Sequence, residues 1–338
     1  MTPDTGRTQH PSGPTENPRT AGAGPRGRGA AAGALFVVLA SVLWGTTGTA
    51  ATLAPEVGPL AIGAAAMGIG GLLQALTAVP QLRAARLPLL RHRSSVVLGA
   101  VAVAVYPLAF YSSMHLAGVT VGTVVSIGSA PLASAVMERL ADGRRLSLRW
   151  AAGAGTAISG TVLLCVAEAA AATGDDGARQ PGAVVAGVLL GLAAGTTYAL
   201  YSWTAHRLMN RGVPARAAMG ATFGLGGLLL MPVLAVTGAP LLASWPNAAV
   251  GLYMALVPMF AGYVLFGSGL ARILPSTATT LSLLEPVVAA ALAVLVVGER
   301  LLPAGWSGAA LVLCGLLILT MPAPGRRGRR PDTLPSLL

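Results

Sequence analysis

Charged side chains are scarce in this chain of 338 residues: Asp, Glu, Lys and Arg make up only 10% of it, whereas 54% of the residues are hydrophobic. Soluble domains carry about 25% charged residues. Lysine is absent, so all 22 basic residues are arginine. So few charges cannot cover a water-exposed surface. The composition therefore excludes an ordinary soluble domain and indicates a polytopic membrane protein.

Cysteine and histidine are also rare, and their spacing indicates no metal or disulfide site. Cys165 and Cys314 both lie in apolar runs, where cysteine usually behaves as a small hydrophobe. The four histidines are scattered without metal-ligand spacing: His10, His92, His115 and His206. A GxGxxxxG pattern begins at Gly153, but no strand precedes it, so it does not indicate a nucleotide site. We predict no catalytic residue, no metal and no cofactor.

The net charge of +11 does not indicate a nucleic-acid partner, because the arginines lie in short loops and tails around the apolar runs. Ten such runs are each long enough to cross a bilayer as a helix. Their approximate limits are 32–53, 58–79, 95–115, 119–138, 150–169, 182–205, 215–237, 247–270, 274–297 and 303–321. The predicted fold is thus an all-α integral membrane protein with ten transmembrane helices. Residues 1–31 and 322–338 are predicted to be disordered cytoplasmic tails.

The distribution of arginine predicts the orientation in the membrane. With ten spans and a cytoplasmic N-terminus, twenty of the 22 arginines fall on one side, and only Arg179 and Arg300 fall on the other. Cytoplasmic loops carry such an excess of basic residues. We therefore expect a multi-pass protein of the cytoplasmic membrane with both termini in the cytoplasm.

The two halves of the chain resemble each other at an offset of 155 residues. Pro131 then aligns with Pro286, Gly153 with Gly308, and Gly160 with Gly315. Chance matching in a low-complexity apolar sequence is the alternative, but the paired prolines argue against it. The halves, 32–169 and 182–321, hold five spans each, and an odd number requires the second copy to cross the membrane upside down. The prediction is two inverted five-helix repeats, as in many secondary transporters.

A carboxylate beside a proline, Glu285-Pro286, begins the long apolar run of the ninth span. An ionisable group inside a membrane is costly and normally faces protein or a water-filled cavity. Glu285 is the only clearly buried ionisable group that the sequence indicates. Three roles remain open for it: proton carrier, ligand for a substrate amine, or structural carboxylate near a helix break. Pro131 and Pro286 form either a paired hinge or static kinks.

Three segments resemble the drug/metabolite transporter superfamily, specifically its EamA-type members with ten helices in a 5+5 repeat. They are Trp44-Gly45, AFYSSMHLAGVTVGTVVSIGSAPLASAV at 109–136 and LSLLEPVVAAALAVLVVGERL at 281–301. The resemblance covers nearly the whole chain apart from the tails. It implies a small-molecule carrier of the cytoplasmic membrane, often an exporter of amino acids or related metabolites. This chain departs from the usual pattern at Ala66, Ala130 and Arg144.

Aromatic residues, only 5% of the chain, recur inside four of the spans and suggest the walls of a small-molecule pocket. An interfacial belt or plain helix packing is the alternative. Threonines next to these aromatics could bind polar substrate atoms, although such hydroxyls more often bond to their own helix. The candidate substrate-binding residues are Trp44, Thr47, Tyr106, Phe110, Tyr198, Tyr263, Phe266 and Glu285.

Gly187, Gly191 and Gly195 form a GxxxGxxxG face that allows close helix approach. We favour contact within one chain, although the same face could support a homodimer.

The leading functional hypothesis is a secondary transporter for a small metabolite, which is an amino acid or a related neutral, zwitterionic or aromatic solute, moved outward by alternating access. Its partners are the substrate and the lipid bilayer. An intramembrane enzyme is an alternative, but it would need paired catalytic groups at depth. A regulatory or scaffold membrane protein is a further alternative.

Overall fold

The structure is a computed structural model that describes residues 25–171, 180–297 and 302–321. Within these ranges, all regular elements are helical. The C-terminal tail, most of the N-terminal tail, and Arg179, Glu299 and Arg300 lie outside the described residues.

The described ranges contain sixteen α-helices, separated mostly by short turns. The first eight are α1 (Pro25–Gly45), α2 (Thr47–Ala51), α3 (Pro59–Thr77), α4 (Val79–Ala84), α5 (Arg86–Arg91), α6 (Arg93–Ala117), α7 (Val119–Asp142) and α8 (Leu148–Ala171). The others are α9 (Pro181–Asn210), α10 (Ala215–Thr237), α11 (Ala239–Leu242), α12 (Trp245–Met254), α13 (Gly262–Leu270), α14 (Pro275–Leu281), α15 (Leu284–Leu292) and α16 (Pro303–Thr320). Two π-helical segments are Ala255–Ala261 and Ala293–Val297.

Ten helical stretches of the described chain are long and apolar enough to span a membrane, which confirms the predicted all-α membrane fold. The spans are Gly29–Ala51, Pro59–Thr77, Arg93–Ala117, Val121–Asp142, Leu148–Ala167, Pro181–Asn210, Ala215–Thr237, Trp245–Leu270, Pro275–Val296 and Pro303–Thr320. A helix satisfies its backbone polar groups within the segment, which the hydrocarbon core demands.

The first helix begins earlier than predicted. α1 starts at Pro25, so residues 25–31, assigned from the sequence to a disordered tail, are helical. Proline is accommodated at the start of a helix because its missing N–H would have no partner there. The alanines at 30–32 then continue the helix, because alanine has the highest helix propensity.

Several arginines meet at one end of the bundle, which we call the basic face. Arg211 contacts His92 at 3.0 Å, and Arg207 lies 3.6 Å from Asp142. The Arg216 guanidinium donates to the Thr77 carbonyl oxygen at 3.2 Å. These contacts bring the loops after the second, fourth and sixth spans to the same end. The other end is the opposite face.

Glycines allow the fifth and tenth spans to cross closely. A Cβ placed on Gly160 would lie 2.7 Å from the Gly308 carbonyl oxygen, and one on Gly153 would lie 3.0 Å from the Gly315 carbonyl oxygen. At the predicted offset, Gly308 is the counterpart of Gly153 and Gly315 that of Gly160. Gly160 therefore packs on the counterpart of Gly153, and Gly153 packs on the counterpart of Gly160. A two-fold axis produces this reciprocal pattern.

The second and seventh spans show the same reciprocal pattern at an offset of 156. A Cβ on Gly68 would lie 3.7 Å from the Gly227 carbonyl oxygen, and one on Gly224 would lie 3.7 Å from the Gly71 carbonyl oxygen. Gly224 and Gly227 stand 156 residues after Gly68 and Gly71. The same reciprocal glycine contacts thus occur in two pairs of spans.

The GxxxGxxxG face of the sixth span packs inside the chain, as favoured from the sequence. Gly187 lies against Ala117, and Gly191 lies against Ser113 and Val125. The glycines let α9 approach α6 and α7, where side chains would separate the backbones. A homodimer through this face would require these contacts to break.

We expect Gly160→Ala to destabilise the protein, because its Cβ would meet the backbone nitrogen of Val312 at 2.6 Å and the Gly308 oxygen at 2.7 Å. Overpacking of this kind costs about 1–3 kcal/mol. Gly155→Ala on the same helix is the matched control, because a Cβ there meets nothing within 4 Å. Thermal unfolding of both purified variants in detergent measures the difference. Equal stability of the two variants would contradict the close crossing.

Candidate functional site

A cavity lies between the first, second, third, sixth, eighth and ninth spans. We call it the central cavity, and it encloses about 470 Å³ of space, part of which is open to solvent. Its lining consists of Trp44, Thr47, Gly63, Ala66, Met67, Tyr106, Pro107, Phe110, Tyr111, Tyr198, Met259, Tyr263 and Glu285. The structure thus brings together seven of the eight candidate substrate-binding residues.

The eighth candidate, Phe266, lies behind this lining. Its side chain is fully buried and packs against Trp44, with the ring centroids 5.3 Å apart. It also contacts Tyr263, edge to face at 5.9 Å. Phe266 therefore supports the cavity wall without facing the cavity.

Trp44 is the centre of the aromatic wall. Its ring lies 4.9 Å from that of Tyr263 and 6.4 Å from that of Tyr198, and it is almost completely buried. The indole nitrogen donates a hydrogen bond to the Pro258 carbonyl oxygen at 2.9 Å. Buried tryptophan normally finds such a partner, and the bond fixes the ring plane against the cavity.

The π-helical segment Ala255–Ala261 positions this acceptor. Pro258 lies inside the segment and has no backbone N–H to donate, so it disrupts the regular helical ladder. π-Helical segments are frequent at functional sites because they redirect backbone groups. Here the irregular turn offers a carbonyl oxygen to Trp44 across the first and eighth spans.

A helix break places Glu285 at the cavity. α14 ends at Leu281 and α15 begins at Leu284, so Glu285 lies in the first turn of α15. A carboxylate in the first turn is favoured by the helix dipole. The break lies at Ser282 and Leu283, just before Pro286. Because the helix is interrupted there, the Glu285 side chain lines the cavity.

Glu285 also borders a second cavity, of about 770 Å³, which extends toward the opposite face. The two cavities share Trp44, Thr47, Phe110, Tyr111 and Glu285. The second cavity is also lined by Ala51, Met114 and Thr123, which lie toward the helix ends at that face. No arginine, lysine or histidine is among the described residues that line either cavity. Glu285 is therefore the single acidic side chain among the described residues that line them.

The hydroxyl groups around the cavity differ in whether they have hydrogen-bond partners. Thr47 donates to the Trp44 carbonyl oxygen of its own helix at 2.7 Å, and Thr197 bonds back to Ala193 at 2.8 Å. The Tyr201 and Tyr263 hydroxyls pair with each other at 2.8 Å. The buried Tyr198 hydroxyl makes no hydrogen bond of normal geometry, although Ser282 lies beside it. Tyr198 is thus the hydroxyl most in need of an additional partner.

The two prolines of the repeat occupy different surroundings. Pro131 lies inside α7, which continues as one helix from Val119 to Asp142. Pro286 follows the break in the ninth span and lines the second cavity. The aligned prolines therefore accompany a continuous span in one half and an interrupted span in the other.

The expectation that Glu285 is the only buried ionisable group is wrong. Glu138, near the basic-face end of α7, is only 2% exposed. Sequence reasoning ended the fourth span at this residue, and so treated it as a boundary position. The partner that allows its burial, Ser276, is 138 residues away, and no local pattern reveals it.

The site residues predicted from the sequence also do not include Phe223, Met67 and Met259. Phe223 packs behind Tyr263 at 4.5 Å, and the two methionines line the central cavity. A methionine or a single phenylalanine in an apolar span carries no sequence signal beyond hydrophobicity.

Clusters of three or more His, Cys, Asp or Glu side chains that could hold a metal ion do not occur within 25–171, 180–297 and 302–321.

Ten apolar spans around a central cavity with aromatic walls define a polytopic membrane transporter. The chain belongs to the EamA-like transporter family, whose model matches residues 31–166 and again residues 185–321. The resemblance noted in the sequence is therefore confirmed.

Two relatives match along most of their length. The uncharacterized transporter YwfM of Bacillus subtilis (strain 168) is 35% identical over 291 residues, which cover 85% of this chain and 93% of the relative. A protein of Streptantibioticus cattleyicolor named "Probable terminal-alkyne amino-acid exporter" is 26% identical over 303 residues, covering 86% and 96%. A crystal structure matches with a TM-score of 0.66 at 20% identity over 85% of this chain and 95% of that chain, which supports the fold alone.

The family and its named relatives are transporters, so this chain is a membrane-embedded transporter of a small molecule and not an enzyme.

Proposed function

We propose that the chain is a secondary transporter that exports an amino acid or a related amine-bearing metabolite across the cytoplasmic membrane by alternating access. The observation that carries this proposal is the single carboxylate, Glu285, in a cavity walled by aromatic rings. Such a carboxylate can bind a substrate ammonium group through charge-assisted hydrogen bonds. Aromatic faces attract the same cation.

The lining also offers groups for the rest of an amino acid. Tyr106, Tyr111 and Tyr198 could donate hydroxyl hydrogen bonds to a substrate carboxylate, and Met67 and Met259 give apolar walls for a side chain. The lining therefore fits a zwitterion or an amine better than an anion with several charges. The relative from Streptantibioticus cattleyicolor is named as an amino-acid exporter, which supports this substrate class and direction.

The reciprocal glycine contacts support an inverted repeat as the basis of alternating access. In both the fifth and tenth spans and the second and seventh spans, each glycine packs on the counterpart of the other. Two similar halves with opposite orientation can exchange conformations and so open one site to either face. The family model matches each half separately, which is consistent with this arrangement.

We further propose that the basic face is cytoplasmic, in accordance with the positive-inside rule. The second cavity then connects Glu285 to the outside, while buried Tyr201, Phe266 and Leu270 close the other side. The described conformation would be the outward-facing member of the cycle.

Thermal unfolding of the purified protein with a ligand panel tests the substrate class. The panel contains the twenty standard amino acids, phenethylamine, which lacks the carboxylate, and 3-phenylpropionate, which lacks the amine. A ligand at 100 times its Kd stabilises the folded state by about 2.7 kcal/mol. We expect stabilisation by at least one amino acid and none by 3-phenylpropionate. Stabilisation by 3-phenylpropionate alone would contradict an amine site at Glu285, and a silent panel would contradict the amino-acid proposal.

A further inference from the structure

Glu138 joins the two halves of the chain at the closed side of the cavity. Its carboxylate accepts two hydrogen bonds from one residue: the Ser276 backbone N–H donates to Oε1 at 2.8 Å, and the Ser276 hydroxyl donates to Oε2 at 2.9 Å. Glu138 belongs to the fourth span and Ser276 to the ninth. Ser276, like Glu138, is only 2% exposed, so both members of the pair are buried.

A second polar contact lies one turn deeper between the same spans. The Thr279 hydroxyl donates to the Pro275 carbonyl oxygen of its own helix at 2.9 Å, and its oxygen lies 3.2 Å from the Ser134 hydroxyl oxygen, which can donate to it. Both side chains are fully buried. Together, the Glu138–Ser276 and Ser134–Thr279 pairs hold α14 against α7. α14 leads through the break at Ser282 directly to Glu285, so these contacts restrain the segment that carries the candidate substrate ligand.

A polar vestibule begins on the basic-face side of Glu138. It is an open cleft of about 700 Å³, part of which is bulk solvent. Its lining consists of Glu138, Asp142, Arg144, Trp203, His206, Arg207, Asn210, Arg211, Leu274 and Pro275. Glu138 therefore lies where this vestibule ends against closely packed side chains. On the far side of that packing lies the central cavity with Glu285.

The vestibule offers Glu138 a second environment. Arg144, Arg207 and Arg211 share its lining, so a carboxylate released from Ser276 would meet water and guanidinium groups. A buried carboxylate without partners is strongly disfavoured, whereas a carboxylate that is paired or hydrated is not. The Glu138 carboxylate thus has partners in both situations. It accepts hydrogen bonds from Ser276 when α14 is held against α7, and it faces water and arginines when α14 moves away.

We propose that Glu138 is a positioning residue of the transport cycle, which closes the basic-face gate by binding Ser276 and opens it by moving toward the vestibule arginines. This proposal rests on alternating access as proposed above. Unlike Glu285, Glu138 need not touch the substrate. It acts through the ninth span, and a conformation open to the basic face requires its hydrogen bonds to Ser276 to break.

Site-directed labelling of the full-length chain tests the gate without any substrate. The background variant carries Cys165→Ser and Cys314→Ser. Ser134→Cys reports on the buried contact beneath Glu138, and Met114→Cys reports on the second cavity. A membrane-impermeant maleimide is applied to vesicles of either orientation. In the Glu138→Gln variant, we expect the labelling rate of residue 134 from the basic face to rise about tenfold, because an amide keeps only one acceptor oxygen and loses the charge. Glu138→Ala is expected to give a larger rise.

Two controls separate gating from unfolding. Residue 114 must remain accessible from the opposite face in every variant, and Glu56→Gln, an exposed carboxylate far from the gate, must leave both rates unchanged. If Glu138→Ala does not fold, Ser276→Ala removes only the hydroxyl donor and is expected to give a smaller rise of the same sidedness. Unchanged labelling of residue 134, or a rise from both faces alike, would overturn the proposal. A failed ligand panel would leave this result unaffected, so failure of the gate and failure of the substrate assignment are distinguishable.

Discussion

Replacing Glu285 with glutamine is expected to reduce transport of an amine-bearing substrate by about 10- to 100-fold, because hydrogen bonds to charged groups contribute about 1.5–3 kcal/mol and each 1.4 kcal/mol corresponds to a factor of ten. Glutamine has nearly the same size, so the cavity keeps its shape. What is lost is the only carboxyl group among the described residues that line the central cavity. Uptake into proteoliposomes and thermal stabilisation by the ligand panel measure the loss in parallel.

The matched control is Glu56→Gln, the same chemical change at an exposed loop position, which we expect to transport like the unmodified chain. The pattern of loss distinguishes the three roles left open by the sequence. An amine ligand predicts lost stabilisation by amine-bearing compounds at every pH. A proton carrier instead predicts retained binding, with transport that no longer depends on pH. A structural carboxylate predicts lower stability of the ligand-free protein with normal transport per folded molecule.

Trp44→Ala is expected to produce the second large effect, a loss of about 3–5 kcal/mol of stability together with loss of ligand binding. Trp44 contacts Tyr198, Tyr263 and Phe266, and it borders both cavities. Its removal therefore takes away the residue on which the aromatic wall is built. Thermal unfolding with and without the ligand panel measures both consequences.

Trp44→Phe separates the two contributions of this side chain. Phenylalanine keeps an aromatic face but leaves the Pro258 carbonyl oxygen without its donor. We expect a cost of about 1 kcal/mol and weakened, not abolished, ligand binding. Trp245→Ala, at a 79% exposed tryptophan of the eighth span, is the control and should change neither quantity. Equal effects of Trp44→Ala and Trp245→Ala would contradict the central position of Trp44.

The spans and much of the cavity lining could be predicted because they depend on local properties. Membrane spans follow from length and hydropathy alone, and all ten were located within a few residues. The aromatic residues were identifiable because aromatics are rare in this chain, and a rare large side chain inside a span usually packs against others. The close contacts of Gly187 and Gly191 followed from their spacing on one helix face.

The remaining features depend on contacts between distant segments. The burial of Glu138 requires Ser276, and the orientation of Trp44 requires the Pro258 carbonyl oxygen, 214 residues away. The break in the ninth span lies at Ser282 and Leu283, whereas the aligned Pro131 lies in an uninterrupted helix. Proline alone therefore does not determine where a span is interrupted. Packing against the neighbouring spans contributes, and it is not encoded in any single window of sequence.

Counterflow in proteoliposomes tests the central claim most directly. Vesicles that contain the purified chain are loaded with a mixture of the twenty standard unlabelled amino acids, and each labelled amino acid is then added outside at trace concentration. The account predicts transient accumulation of at least one labelled amino acid by the unmodified chain and by Glu56→Gln, and counterflow that is reduced about 10- to 100-fold by Glu285→Gln. Absence of counterflow for every amino acid, or undiminished counterflow by Glu285→Gln, would contradict it.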